Sequence, residues 1–467
     1  MKHFGAKLNQ NDDFLGQRAD DIKPTLWRYV ILFLFCINSA NKAFQWIQIP
    51  ASTFKFTYFY GVDNFVINAT SVLFMLAFVV LSLPACYIIE RIGLRKAVLI
   101  GSFGTAVGSI MKCFSCYEDG IYSLFIGQTL VSLSEQFIFS IPSRLASVWF
   151  PDHQVSSAVS ICLLGNQLGV ALGFVIPEFI LDSAETKDEI GQGFYVIFLG
   201  MAVVSVVSFL ADVVLFDEAP KFAPGTARLN QIKQEQEVVE SERGFLGEMS
   251  SLINQITQLL RNKDLTLLAL SFGINIGVNY SLATILNQML EPIWPGDDML
   301  IGKTGFIIII SGALGLPFWG RLLDMMHRYL QINVLLTVGT ILSLVAFGIV
   351  ISGFHSVLSI YLTAALIGFF QTGMMVASLE FAVELTYPAP ELVSSSVMNV
   401  MPQIFGTVFV FSASYIVDTY GAITTNCFYL ICLLTALLML TNINEVLKRQ
   451  DAVVGKNDKD ISSVEIN

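Results

Sequence analysis

The chain has 467 residues, of which 54% are hydrophobic and only 13% charged, against roughly 25% charged in an ordinary soluble domain. That deficit excludes a soluble globular protein and marks a membrane one. The formal net charge of −11 sits mostly in the tails and a central polar segment, which leaves nothing for nucleic acid to bind.

Residues 1–26 read as a polar cytoplasmic tail, with no signal peptide. Apolar runs follow at about 27–49, 66–89, 96–115, 121–142, 155–181 and 194–216. A second set lies at about 265–290, 304–325, 331–353, 357–385, 391–417 and 422–443. Each can cross roughly 30 Å of hydrocarbon as a helix of about 20 residues. Helix is also the state in which such a segment satisfies its own backbone. The expected architecture is an all-α membrane protein with twelve transmembrane helices in two six-helix bundles, 27–216 and 264–443. A linker, 217–263, joins them, and a C-terminal tail, 444–467, ends the chain. Phe245, Leu246, Met249, Leu252, Ile253, Ile256, Leu259 and Leu260 form one apolar stripe near the linker's end. It predicts an amphipathic helix that lies on the membrane or caps the second bundle.

Of the 26 Lys and Arg residues, 21 fall in the tails, the linker and the even-numbered loops. The positive-inside rule then puts both termini in the cytoplasm. The seven cysteines lie in or beside apolar runs, and Cys113-x-x-Cys116 reads as two packing residues rather than a redox or metal pair. No metal or cofactor is expected. There is no P-loop, H-E-x-x-H or nucleophile elbow, so the chain does not read as an enzyme.

The two halves repeat each other. Val155-Ser156-Ser157-Ala158-Val159 returns 238 residues later as Val393-Ser394-Ser395-Ser396-Val397, and Pro151 returns as Pro388. A period this long indicates a duplicated bundle, not a solenoid. A second pair is Leu83-Pro84 with Glu90, Arg91 and Arg95, matched by Leu316-Pro317 with Arg321, Asp324 and Arg328. Charges placed so can pair at the cytoplasmic mouth and part when it opens; single charges there can also be snorkelling side chains. Arg144 and the acids Glu380 and Glu384 join this set of gate candidates, the two acids also as proton carriers.

Polar residues at membrane depth mark a site by default. The first run carries Asn41, Lys42, Gln45 and Trp46, and the seventh carries Tyr280, Asn287 and Gln288. The fourth adds Glu135 and Gln136, the fifth Asn166 and Gln167, and the eleventh Gln403. Trp46 and Tyr280 stand 234 residues apart, so pseudo-symmetry would set their faces opposite each other across a central cavity. Two aromatic faces with amides suit a compact organic cation, at about 0.5–2 kcal/mol per face. The same residues could also be packing aromatics and inter-helix amides. Glu135 is a proton-site candidate or part of a polar patch.

Several motifs together, KAFQWIQ (42–48), SIPSRLASVWF (140–150), LLGNQLGVALGFVIP (163–177), YSLATILNQML (280–290) and LEFAVELTYP (379–388), resemble the feline leukaemia virus subgroup C receptor family of the major facilitator superfamily. The resemblance covers both bundles. It implies the major facilitator fold and facilitated transport of choline, and of ethanolamine, across the plasma membrane. It also implies that Trp46 and Tyr280 form an aromatic cage, with Gln136 and Gln403 as substrate contacts. Glu135 departs from the pattern and adds an acid where a small residue is expected; Pro402 before Gln403 is a second departure. Partners would be a small-molecule substrate and the bilayer, with a monomer as the default state. The alternatives are haem export and a receptor without flux. Haem export is disfavoured because His3, His153, His327 and His355 all fall outside the apolar runs, which leaves no axial histidine in the membrane.

Overall fold

A computed structural model describes residues 25–151, 154–220, 222, 224, 253–326, 328–353, 356–386 and 391–445. Among these, every regular element is helical. The first half gives α1 (Trp27–Ile47), α2 (Asn64–Ile92), α3 (Leu94–Cys113), α4 (Ile121–Phe139), α5 (Val155–Leu181) and α6 (Lys187–Leu215). The second gives α7 (Lys263–Leu290), α8 (Asp298–Met326), α9 (Tyr329–Ser352) and α10 (Val357–Thr386). The run Glu391–Leu440 breaks at Gly421, where φ is 84° and ψ 174°. We number its two parts α11 (391–420) and α12 (422–440). Among the described residues, ten stretches are long and apolar enough to span a membrane. One of them holds both α11 and α12, and α3 adds a helix of 20 residues, about 30 Å long. The twelve-helix architecture follows. The repeat motifs open α5 and α11, while Pro84 and Pro317 both lie inside their helices, α2 and α8.

Helix starts differ from the apolar runs where the first turn is polar. The run starting at 194 becomes a helix from Lys187, seeded by a reciprocal cap. The Thr186 hydroxyl accepts from Glu189 N at 3.4 Å, and Glu189 Oε2 accepts from Thr186 N at 3.0 Å. The run starting at 304 becomes a helix from Asp298, with Asp297 Oδ1 accepting from Leu300 N at 3.1 Å. The fourth run stops at Phe139 because Pro142, which has no N–H to give the preceding helix, opens a separate short helix, Pro142–Trp149. Its apolar face, Leu145, Ala146, Val148 and Trp149, is buried. The N-terminus of α3 is capped from afar, with Glu218 oxygens accepting from Leu94 N and Arg95 N at 2.7 and 2.8 Å.

Two compact units emerge. One holds the chain up to Gln45, Val80–Gly169 and the segment from Phe194; the other holds Trp46–Val79, Val170–Gly193 and the segment from Met249. The first has a core of Phe35, Val98, Ile138, Leu145 and Trp149, among others. The core of the second includes Phe272, Trp319, Leu336, Met374 and Phe381. The described end of the linker, 253–259, is helical, and Ile256, Leu259 and Leu260 pack against that second core. Compactness therefore divides the chain differently from the bundle boundaries 27–216 and 264–443. The segments around the α1–α2 and α5–α6 loops pack with the helices of the second half.

Within the second unit, α7 and α11 approach at backbone distance. A Cβ added at Gly277 would lie 2.8 Å from Phe405 Cβ and 3.0 Å from Gly406 N, closer than side-chain carbons come. Gly277→Ala is expected to force these helices apart at about 1–3 kcal/mol, lowering the Tm of the purified protein by several degrees. An unchanged Tm would mean that the contact is dispensable.

Candidate functional site

Trp46 ends α1 and Tyr280 stands in the middle of α7, both half-buried in the second unit. Their ring centroids are 5.7 Å apart and their planes meet at 79°. The rings do not face each other across a gap, as pseudo-symmetry suggested; they touch edge to face. Close approach of α11 accounts for this. A Cβ on Gly406 would lie 3.4 Å from Tyr280 Cδ2 and 3.1 Å from Met75 Sδ, so the α11 backbone runs close beside the Tyr280 ring. Val72, Met75 and Val410 back the pair, with Phe411 beside them. Two aromatic walls at nearly a right angle form a corner.

On the side of the α1–α2 loop, polar contacts join the chain's two halves inside the same unit. Ser71 Oγ and Thr284 Oγ1 are 3.0 Å apart. Asn68 Nδ2 donates to Gln288 Oε1 at 3.1 Å and Ser414 Oγ at 3.0 Å. Asn287 Oδ1 accepts from Phe54 N at 3.2 Å. Lys55 Nζ pairs with Asp298 Oδ2 at 3.1 Å, and Ser52 Oγ donates to Glu178 Oε1 at 3.0 Å. Asn287 and Gln288, expected as cavity residues, give their side-chain oxygens to this seal, while Gln288 Nε2 has no partner among the described residues.

Asn41 and Gln45 are likewise spent, here within the first unit. Asn41 Nδ2 donates to Ser205 Oγ at 2.8 Å, and Gln45 Nε2 to Asn41 Oδ1 at 2.9 Å. Ser109 Oγ donates to Gln45 Oε1 at 3.1 Å, and Gln128 Nε2 to Gln45 O at 2.9 Å. These bonds fasten α1 to α3, α4 and α6. Gln136 differs: it is 1% exposed, and its Oε1 has no partner among the described residues. A buried acceptor without a donor costs about 1–3 kcal/mol and is open to a ligand hydroxyl or to water. Asn166, Gln167 and Gln403 are half-buried.

Of the gate candidates, Arg144 donates to Ile89 O at 2.9 Å, and Arg95 to Val213 O at 2.9 Å. The Arg91 guanidinium lies 4.7 Å from the centre of the Tyr87 ring. Arg321 and Glu380 are exposed and Glu384 is buried. The side chains of Glu90 and Asp324, and all four histidines, lie outside the described residues. Cys113 and Cys116 are free thiols. Burial, with Cys113 beside it, pushes the Cys116 thiol up to about 12, so at neutral pH it is no thiolate ligand.

Sequence reasoning named Lys42 but passed over two buried acids. Lys42 is 1% exposed, while Asp212 and Glu178 are fully buried. The two acids could have been found, since each stands alone in an apolar run (FLADVVLF and VIPEFIL).

The sequence profile of the Major Facilitator Superfamily matches residues 31–389. The chain is 32% identical over 431 residues to the human choline/ethanolamine transporter FLVCR2, spanning 92% of this chain and 80% of that protein. This chain belongs to the FLVCR family of the major facilitator superfamily. Its similarity to the FLVCR1 choline/ethanolamine transporter of Felis catus is 31% over 452 residues, covering 97% of this chain and 79% of the relative. The same fold occurs in a D-xylose-proton symporter, with TM-score 0.70, 10% identity, and 89% and 98% of the two chains covered. It also occurs in a bacterial homologue of the lysosomal transporter Spinster, with TM-score 0.67, 12% identity, and 90% and 97% covered. This FLVCR-family chain is thus a multi-pass integral membrane protein built as a transporter.

The seal predicts a cross-link. Cysteines replacing Ser71 and Thr284 are expected to form a disulfide under mild oxidation, since the two hydroxyls they replace are in direct contact at 3.0 Å. After proteolysis in the linker, the two halves should stay joined on a non-reducing gel. Separation of the halves would rule out this contact.

Proposed function

We propose that this chain is a facilitative carrier of choline and ethanolamine. The observation that carries this reading is the Trp46–Tyr280 corner. Choline's trimethylammonium has no N–H to donate, so it is held by charge–quadrupole attraction to ring faces and by apolar contact. Both are available at two aromatic walls backed by Val72, Met75 and Val410. The hydroxyl at the other end of the molecule needs acceptors. The family resemblance assigns that role to Gln136 and Gln403, and Gln403 lies in the same unit as the corner. The printed substrates of the FLVCR relatives point the same way. Ethanolamine, smaller and carrying N–H donors, would use the rings less and the amides more.

The carrier works by alternating access, as the duplicated halves of such transporters suggest. It operates in the plasma membrane with both termini cytoplasmic, a reading supported by the 21 of 26 basic residues in the tails, linker and even-numbered loops. The polar seal by the α1–α2 loop is then the outer closure. The charged residues Arg91, Arg95, Arg144, Arg321, Glu380 and Glu384, with Glu90 and Asp324, serve the inner one.

Uptake of labelled choline into cells expressing the chain tests this. Losing one ring face corresponds to about a 2- to 30-fold loss. Trp46→Ala and Tyr280→Ala should fall near the upper end and Trp46→Phe near the lower, at equal surface expression. Equal flux in all four proteins would remove the corner from the site. Absence of saturable uptake by the unmodified chain would overturn the carrier reading.

A further inference from the structure

The polar seal by the α1–α2 loop holds a carboxylate that its hydrogen bonds leave half answered. Glu178, in the last turn of α5, is fully buried. Ser52 Oγ donates to its Oε1 at 3.0 Å, while its Oε2 has no partner among the described residues. The carboxylate is fixed from two sides, both within the second unit. Ser52 directly precedes the short helix Thr53–Tyr60, which carries Lys55. On α8, a Cβ added at Gly302 would lie 2.9 Å from Glu178 Cγ, and Gly302 stands one turn after Asp298. Lys55 Nζ in turn pairs with Asp298 Oδ2 at 3.1 Å and donates to Ala184 O at 2.9 Å. Asp298, Lys55 and Asp182 all act on Glu178 electrostatically. The charges inside the first unit differ. There Lys42 donates to Ser134 O, Lys112 to Gln128 Oε1, and Asn38 to both oxygens of Asp212; Glu135 is half-buried.

A primary ammonium ion has three N–H donors and calls for three acceptors. The head of Lys55 is such an ion, and it finds two of them, a carboxylate oxygen of Asp298 and the carbonyl of Ala184. The open oxygen of Glu178 is the third, and nothing donates to it. Lys55 also leaves the charges unbalanced, since one ammonium faces two buried carboxylates. An uncompensated buried charge is costly. A small ammonium ion that is free of the chain can turn toward all three oxygens. A quaternary ammonium has no N–H and gains none of these bonds.

We propose that Asp298, Ala184 O and Glu178 form a subsite for a free primary ammonium ion, which Lys55 fills as a tethered occupant while the seal is closed. Its part in transport rests on the carrier reading. When the seal parts, Lys55 withdraws, and the subsite receives the ammonium of ethanolamine on its way to the aromatic corner. The two places belong to one unit. Phe54, next to Lys55, donates its N–H to Asn287 Oδ1 at 3.2 Å. Asn287 follows Tyr280 by seven residues on α7, about 10 Å along the helix. The carrier stays facilitative, because one cation replaces another on the same side and no second ion crosses. Choline passes the subsite with charge attraction alone.

Removing the tether tests the subsite without any transport. Purified full-length Lys55→Ala should melt below the unmodified protein, because a buried ion pair has lost one partner. Methylammonium chloride should then raise its Tm by about 2 °C or more over sodium chloride at the same concentration. Tetramethylammonium chloride should match sodium chloride, and the unmodified protein, with Lys55 in place, should not distinguish the three salts. No difference among the salts in folded Lys55→Ala, or an equal gain from methylammonium and tetramethylammonium, would overturn the subsite. A second measurement leaves Lys55 intact. Glu178→Gln keeps an acceptor for Ser52 and loses the charge. At equal surface expression it should raise the KM for ethanolamine uptake about two- to tenfold and leave that for choline unchanged. Unchanged or equally shifted KM values for the two amines would overturn the subsite and leave the carrier reading standing. The methylammonium effect without flux of either amine would uphold the subsite and overturn the carrier reading.

Discussion

A helix in hydrocarbon satisfies its own backbone and leaves its polar side chains nothing to bond except one another. The first transmembrane helix carries Asn38, Asn41, Lys42 and Gln45 within eight residues, more polarity than lipid would accept. Its neighbours answer each one. Asn38 holds Asp212, Asn41 meets Ser205, Lys42 reaches Ser134 O, and Gln45 is shared by Ser109 and Gln128. The first unit is fixed around this spine, since removing any member would strand its partner in a medium with no replacement. Beyond the spine the same helix changes character and ends in Trp46, against Tyr280. One helix thus contributes a polar lattice to one unit and an aromatic wall to the other.

The second unit depends on small residues as much as on large ones. Gly277 and Gly406 bring two helices together, and that approach turns Trp46 and Tyr280 into a corner where opposed faces were expected. The geometry matters chemically. Opposed rings in contact would stack and exclude a ligand, whereas rings meeting at 79° cover each other only along one edge. Met75 fills the irregular space behind them, a role suited to an unbranched and polarisable side chain.

The twelve apolar runs were legible because hydrocarbon thickness sets a length and apolarity that few other structures need. Their ends were less so. Thr186–Glu189 and Asp297–Leu300 start helices with polar residues that hydropathy assigns to loops, and Pro142 splits a run that composition joins. At the candidate site the residue types were visible as polar or aromatic exceptions in apolar surroundings. Their partners were not, because Asn68 with Gln288, or Asn41 with Ser205, meet across more than a hundred residues. Asn287 and Gln288 looked like Gln136 in the sequence. Only the fold separates two amides whose oxygens are taken from one with an open acceptor. Asp212 and Glu178 obeyed the same rule that flagged Glu135, but they stand without a polar neighbour in sequence and were passed over.

The break at Gly421 has a mechanical side. α11 and α12 are joined through a single residue at φ 84°, a region of backbone space that side chains other than glycine seldom occupy, with no loop to take up slack. The other long helices of the second half are connected by two to seven residues each. Between these two, a displacement of α11 is transmitted to α12 within one peptide link. Since α11 carries Gly406 against Tyr280, the last helix of the fold is tied through one residue to the helix beside the aromatic corner.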